Sequence, residues 1–506
     1  MSKSVRLFQP FALAVALVLT LQLAVFATNA GQNQESAGSK PETAKSTSSK
    51  TKKRKKKKTL TSTPSFIVIG VPNQPAAVVE LPAPVAPRVV ESPVVESPAP
   101  QSPSTSRIRA EKSSGISVSP KGAPAPLGPA PTNTIIISEF KVRGMSGAND
   151  EFIELYNASG ADHTVTGGGT GYAVAASDGV ARCVIPNGTV IPNRGHYLCV
   201  NSVAYSLASY PAGNGTTATG DATYTTDIPD NAGIAIFNTS IAANFVLANR
   251  LDAVGSTSEA NTLYKEGTGY PALAPFSIDY SFYRDDCGKS GSITTFGACT
   301  ISTPKDTNNN AVDFIFVDKN GTSAGAGQRL GAPGPENLSS PIQRNANFSV
   351  DVLDPCVAAN SPPNRVRDFT SDPPNNSTFG TIDIRRTVTN NTGGNVTRLR
   401  WRVTDLTTFP APSGIADLRP RTSTAVVVTV DRAPCGAGTS NVTVQGTTLE
   451  QPPTQPNGGG FNSSMSSGTV TLATPLPNGA SLDVRFLMGI QQTGSFKLYV
   501  NVEALP

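Results

Sequence analysis

Histidine is almost missing from this chain: 506 residues hold two, His163 and His196, beside a single tryptophan. Neither histidine belongs to an HExxH or other paired metal spacing. Gly321-Thr-Ser-Ala-Gly325 has the G-x-S-x-G form, but no histidine follows Ser323, and the glycine-broken sequence after it cannot supply the helix a nucleophile elbow needs. There is no P-loop and no Gly-x-Gly-x-x-Gly fingerprint for a nucleotide. Charged residues make up only 15% and aromatics 6%. After residue 30 no apolar run reaches membrane-spanning length and no long 3.6-residue periodicity appears, which excludes a helical bundle and a helical membrane body. None of the six cysteines lies in a CxxC, so thioredoxin-type and zinc chemistry are excluded as well. These absences argue against an enzyme.

What the chain has in quantity is glycine (45), proline (42), Ser, Thr, Asn and Val, the composition of short strands joined by turns. Its beginning reads as an export signal. Lys3 and Arg6 precede the apolar run Phe11–Ala27, and Ala27 and Ala30 each close a small-residue cleavage pattern. Cleavage of residues 1–30 gives a secreted, cell-surface or periplasmic chain; retention gives an N-terminal membrane anchor, since the run nearly spans a bilayer. In an oxidising compartment six cysteines suggest three bridges. Sequence proximity suggests Cys183–Cys199, Cys287–Cys299 and Cys356–Cys435.

Residues 31–132, rich in Pro, Ser, Ala and Lys, cannot build a core. Glu-Ser-Pro and Pro-Ala units favour an extended, semi-rigid stalk. Within it, Lys50, Lys52, Lys53, Arg54, Lys55, Lys56, Lys57 and Lys58 carry eight positive charges, more than the net +5 of the whole chain. The remainder is therefore slightly acidic and lacks a nucleic-acid footprint. The run is either a solvated charge block or a tether to polyanions such as anionic envelope polymers or extracellular DNA.

From residue 134 the texture changes. Ile135–Val142 and Asp150–Asn157, separated by a short turn, predict a hairpin. Period two places Glu151, Ile153 and Leu155 on one face and Phe152, Glu154 and Tyr156 on the other. Glu139 and Glu154 could pair across it as acids, although carboxylates accepting backbone N–H groups or meeting arginine are the expected arrangement.

Ile-Ser-Glu-Phe140, a short turn and Asp150-Glu-Phe-Ile-Glu-Leu-Tyr-Asn157 resemble the opening of a lamin tail domain. Ile185-Pro-Asn-Gly188, Ile191–Leu198, Asp230–Phe237, Arg250–Gly255, Ser281–Arg284, Asp306–Phe314 and Gly331–Pro335 follow in the family's order. The family's usual tryptophan is replaced by Phe152, and a polar insertion lies around Ser206–Thr226. The resemblance implies an immunoglobulin-like β-sandwich over residues 133–340 with a binding or structural role and no catalysis.

After a Gly/Pro linker at 331–341, eight strands are predicted within 345–506: 347–353, 380–389, 396–403, 424–430, 441–445, 468–472, 481–488 and 495–502, with Asn390–Asn395 as a hairpin loop. This pattern argues a second β-sandwich. Alternation with arginines turns Trp401 toward its core. Asp306, Asn308, Asn310 and Asp313 together form a candidate Ca²⁺ loop, with an Asn/Asp turn as the alternative; no other cofactor is expected. The fold class is thus all-β: two immunoglobulin-like sandwiches behind a signal and a disordered stalk. The expected function is an exported non-catalytic module contacting proteins or glycans. The alternative is an accessory polyanion-binding protein associated with extracellular nuclease or phosphate metabolism.

Overall fold

The computed structural model describes residues 134–210, 217–273, 278–286, 304–320, 329–343, 348–406, 416–432 and 434–452 and, with short gaps, 455–505. The segments expected to be signal and stalk, with Lys50–Lys58, and the residues Cys287, Cys299 and Ser323 lie outside the described residues. The described chain is all-β, with one helical α-turn, Asn310–Asp313, and a few 3₁₀ turns.

Ile135–Lys141 and Phe152–Asn157 pair antiparallel, as their alternation predicts, with Glu139 opposite Glu154 and Phe140 opposite Ile153; a bulge lies between Ile137 and Glu139. This hairpin sits inside a seven-stranded sheet. Its order is Arg329–Leu330, Phe314–Asp318, Tyr280–Arg284, Ile135–Lys141, Phe152–Asn157, His196–Asn201 and Ala222–Tyr224. A four-stranded sheet faces it, in the order Arg250–Val254, Ile234–Phe237, Gly171–Ala176, Ala181–Pro186. Ile137, Phe140, Ile153 and Leu155 from the first sheet share one core with Val174, Ile185, Ile236 and Val254 from the second. Each such side chain contributes about 1.5–3 kcal/mol by leaving water. Phe140 stacks on Phe282 at 5.3 Å, and Phe282 on Phe316 at 4.9 Å. The Cys183–Cys199 disulfide crosses this core, joining a strand of each sheet.

The outer face of the hairpin is covered too. Phe152, Leu198 and Val200 pack against Leu207, Tyr210 and Ala218, so the described parts of the insertion, 206–210 and 217–226, fold down as a flap. Its Ala222–Tyr224 segment adds a parallel edge strand beside Cys199–Asn201.

The remaining sheets form a second sandwich. One runs Ile342–Gln343, Leu498–Leu505, Arg398–Leu406, Ser464–Ser466, Thr448–Glu450; the other runs Phe348–Val352, Thr381–Asn390, Ser481–Gln492, Asp417–Arg421, with Arg365–Asp368 also on Thr381–Asn390. Trp401 is fully buried between them, edge-on to Phe486 at 5.3 Å. The separate hairpin Val426–Val430/Ser440–Val444 packs its valines on Leu353, and the Cys356–Cys435 bridge clasps its loop.

Two local expectations fail here. Asn390–Asn395 does not close a hairpin, because the strands on either side lie in different sheets. The Asn390 amide donates to Gly394 O and Leu476 O while its oxygen accepts from Thr392 N, so the turn carries the chain across the sandwich. Residues 468–472 are turn rather than strand: Leu472 is exposed and Thr471 is tied back to Thr474. Conversely, Arg365–Asp368, Asp417–Arg421, Thr448–Glu450 and Ser464–Ser466 are strands that arginine, proline and serine hid from pattern reading.

The Gly/Pro segment 331–341 is not a solvated linker. It is a buried strap: Ala332 N donates to Phe461 O and Phe461 N to Leu330 O, both at 3.0 Å. Glycine is required for that approach, since a Cβ on Gly331 would lie 2.5 Å from Phe461 O and one on Gly334 would meet Arg402 and Asn462.

A buried carboxylate and arginine seam as the candidate functional site

The strap brings together charged residues from both sandwiches. From the first come Glu139, Glu154 and His196, whose side chains leave the outer face of the seven-stranded sheet. From the second come Arg400, Arg402 and Glu503, on paired strands where Arg400 lies opposite Glu503. Glu336 comes from the strap, Glu450 and Asn462 from neighbouring segments. All are nearly fully buried.

Their contacts are specific. Glu139 accepts from Gly334 N and from the Asn462 amide, each at 2.9 Å. Glu154 accepts from Glu336 N at 2.7 Å and from the Ser138 hydroxyl at 2.5 Å. Arg400 Nε and Arg402 Nε donate to opposite oxygens of Glu503 at 2.6 and 2.8 Å. Arg402 also reaches Glu336 at 3.2 Å and Asn462 O at 2.9 Å; Arg400 pairs with the other Glu336 oxygen. His196 Nε2 lies 3.3 Å from Glu336. Direct bonds also cross from sandwich to sandwich: Tyr210 OH to Glu450 O at 2.9 Å, Tyr283 OH to Thr404 O at 3.3 Å, and the Asn501 amide to Asp286 at 2.7 Å. Tyr283 and Val317 of the first sandwich belong to the apolar core of the second.

Five glutamates meet two arginines here, and the protonation follows. Burial, with the charge of Glu139 beside it, holds Glu154 well above the usual carboxylate range. Burial also raises Glu139 and Glu450. Glu503 goes the other way: burial opposes its ionisation, but Arg402 and Arg400 together outweigh that and lower it. His196 is pushed down to about 3, first by burial and then by the two arginines against the pull of Glu503, so the imidazole is neutral.

A cavity of about 70 Å³ remains among Tyr156, His196, Glu154, Glu336, Arg402 and Asn501. It admits a few waters and falls well below the roughly 300–1,000 Å³ of small-molecule sites. The carboxylates that line it accept from backbone, serine, asparagine or arginine. Chemically, the arrangement is suited to fixing one sandwich against the other.

The sequence-derived cation residues are arranged differently from a single chelating loop. Asn308 is exposed, with φ 56°. Asn310 is buried, its oxygen accepting from Gly255 N and Glu266 N and its amide donating to Ala253 O. Asp313 closes the turn by accepting from Thr307 and Asn309 N. Asp306 turns instead toward Asp252 and Glu266. His163 lies on a short outer strand, 3.1 Å from Tyr172 OH. Of the seam residues, sequence reading had singled out Glu139, Glu154, His196 and Trp401's strand. Glu336 and Glu503 gave no signal, because only the fold brings residues so far apart in sequence into contact.

Among the described residues no helix is long and apolar enough to cross a membrane. No family model matches the chain, and no curated protein or solved structure matches it either.

Proposed function

We propose that this chain is an exported, non-catalytic binding or structural module whose two sandwiches act as one rigid head, carried on the stalk of residues 31–132. The carrying observation is the seam: the buried acids that would otherwise suggest acid–base chemistry spend their acceptors on Gly334 N, Glu336 N, Asn462, Arg400 and Arg402. Two disulfides in the described part suit an oxidising compartment. The lamin-tail resemblance at 133–340 and an immunoglobulin-like topology belong to the same proposal, supported by the hairpin that carries the most specific motif. The ligands expected are proteins or glycans presented at a cell surface.

The test is to screen the purified chain against protein and glycan arrays and, in parallel, against ester, glycoside, phosphodiester and peptide substrates. Saturable binding without turnover is expected. Turnover abolished by Glu139→Gln or Glu154→Gln, with the fold intact, would defeat the non-catalytic reading.

Eight cations within residues 50–58 support a second role, holding polyanions beside the head, as an accessory to extracellular nucleic-acid or phosphate metabolism would need. Binding of DNA that weakens steeply with salt and vanishes when residues 50–58 are deleted is the expected result. Binding unchanged by that deletion would remove it.

A further inference from the structure

A second group of buried acids lies at the edge of the four-stranded sheet, beside Arg284, which also lines the seam cavity. Asp252 comes from the strand Arg250–Val254, Glu266 follows the 3₁₀ turn Thr262–Tyr264, and Asp306 precedes the helical turn Asn310–Asp313. One carboxylate oxygen from each lies within 4.8 Å of the others, and all three residues are buried. That is the span two oxygens occupy on opposite sides of a Ca²⁺ ion at about 2.4 Å each.

The charge balance is incomplete. Asp252, Glu266, Asp306 and the adjoining Asp313 bring four carboxylates. Against them stand Arg284, at 2.6 Å from Asp252, 3.6 Å from Asp306 and 3.8 Å from Asp313, and Arg250, at 3.1 Å from Glu266. With all four ionised, two negative charges would be left over in a place where an uncompensated charge is expensive.

An independent observation points the same way. Glu266 Oε2 and Asp306 Oδ2 accept no hydrogen bond among the described residues, although the side chains are 2% and 0% exposed. Buried carboxylate oxygens normally find a donor. The second oxygen of Glu266 is engaged by Arg250, and that of Asp306 by Arg284 and the backbone N–H of Asn308.

We propose that Asp252, Glu266 and Asp306 bind one Ca²⁺ ion, which fastens the 306–313 turn and the 259–266 loop to the sheet edge. Only Asp306 is shared with the loop set Asp306, Asn308, Asn310 and Asp313. A hard, oxygen-seeking cation of flexible geometry matches this donor set better than Zn²⁺, which prefers nitrogen and sulfur.

The test is calorimetric titration of the EDTA-treated full chain with Ca²⁺ and separately with Mg²⁺, with thermal melts at each metal concentration. One Ca²⁺ per chain, tighter than Mg²⁺, and a rising Tm are expected. Glu266→Gln, isosteric and still able to accept from Arg250, and Asp306→Asn should each weaken Ca²⁺ by at least about tenfold, and Asn308→Gly should leave it unchanged. The proposal fails if the folded wild-type chain takes up no Ca²⁺, if Mg²⁺ binds more tightly, if Glu266→Gln binds normally, or if Asn308→Gly abolishes binding. The wild-type titration decides the question even if a variant does not fold.

Discussion

Glu139 and Glu154 stand opposite each other across the first hairpin, and each takes a backbone N–H from the same strap, Glu139 from Gly334 and Glu154 from Glu336. An acidic pair that would repel in isolation becomes a two-pronged clamp on the segment between the sandwiches. Burial and the charge of Glu139 hold Glu154 well above the usual carboxylate range, which weakens that repulsion.

Arg402 is the residue on which the clamp depends most. It holds Glu503, Glu336 and Asn462 at once. Arg402→Ala should cost about 3–5 kcal/mol in denaturant unfolding, because it breaks a buried ion-pair network and leaves Glu503 and Glu336 with Arg400 alone. Combining it with Glu503→Gln should recover part of that loss. A cost below about 1 kcal/mol, the scale of a surface ion pair, would mean the network is solvated.

Glu151 sets a pH dependence on the alkaline side. Burial pushes it up to about 8, against hydrogen bonds from Asn201 and Ile228 N that favour the ionised form. The folded state therefore keeps a proton that the unfolded chain has released. This contribution is complete below the ordinary carboxylate pKa of about 4.3 and is lost as pH rises through about 8. Glu151→Gln should flatten the fall, by on the order of a few kcal/mol, in stability measured from pH 5 to 9.

His196 acts on the acid side with the opposite sign. Its folded value of about 3 lies below its ordinary one, so the stability it contributes is present above pH ~6.5 and is lost as pH falls toward about 3. His196→Gln should reduce that acid-side slope in the same unfolding series. An unchanged slope would place His196 in contact with solvent.

The two disulfides should differ in weight. They close sequence separations of 16 residues for Cys183–Cys199 and 79 for Cys356–Cys435. Loop-closure entropy alone gives roughly 3 and 4.5 kcal/mol. Paired serine substitutions compared by urea midpoint should preserve that order.

How much of this could be read from the chain differs by element. Alternation found the Ile135–Asn157 hairpin and put Ile153 and Leu155 on one face, which the fold turns into the core; with Glu151 on that same face, the pattern alone did not say which side is inward. It could not show that Phe152, Glu154 and Tyr156 are buried as well, since the flap and strap covering them come from distant sequence. The Asn/Gly turn at 390–395 announced a chain reversal, but turn chemistry does not say which sheet receives the next strand. The Gly/Pro stretch at 331–341 looked like a linker because glycine serves flexibility and close packing equally; here Gly331 and Gly334 serve the second. Cysteine spacing anticipated both bridges in the described residues, whereas Asp306 met its carboxylate neighbours from other loops rather than from its own.

A single rigid head requires that the seam join both sandwiches into one cooperative body. Hydrogen-exchange mass spectrometry across a urea series measures this directly, comparing peptides spanning Phe152–Asn157 and Arg398–Leu406. In the wild-type chain the two should lose protection at the same midpoint, and in Arg402→Ala their midpoints should separate. Distinct midpoints in the wild type would contradict the account.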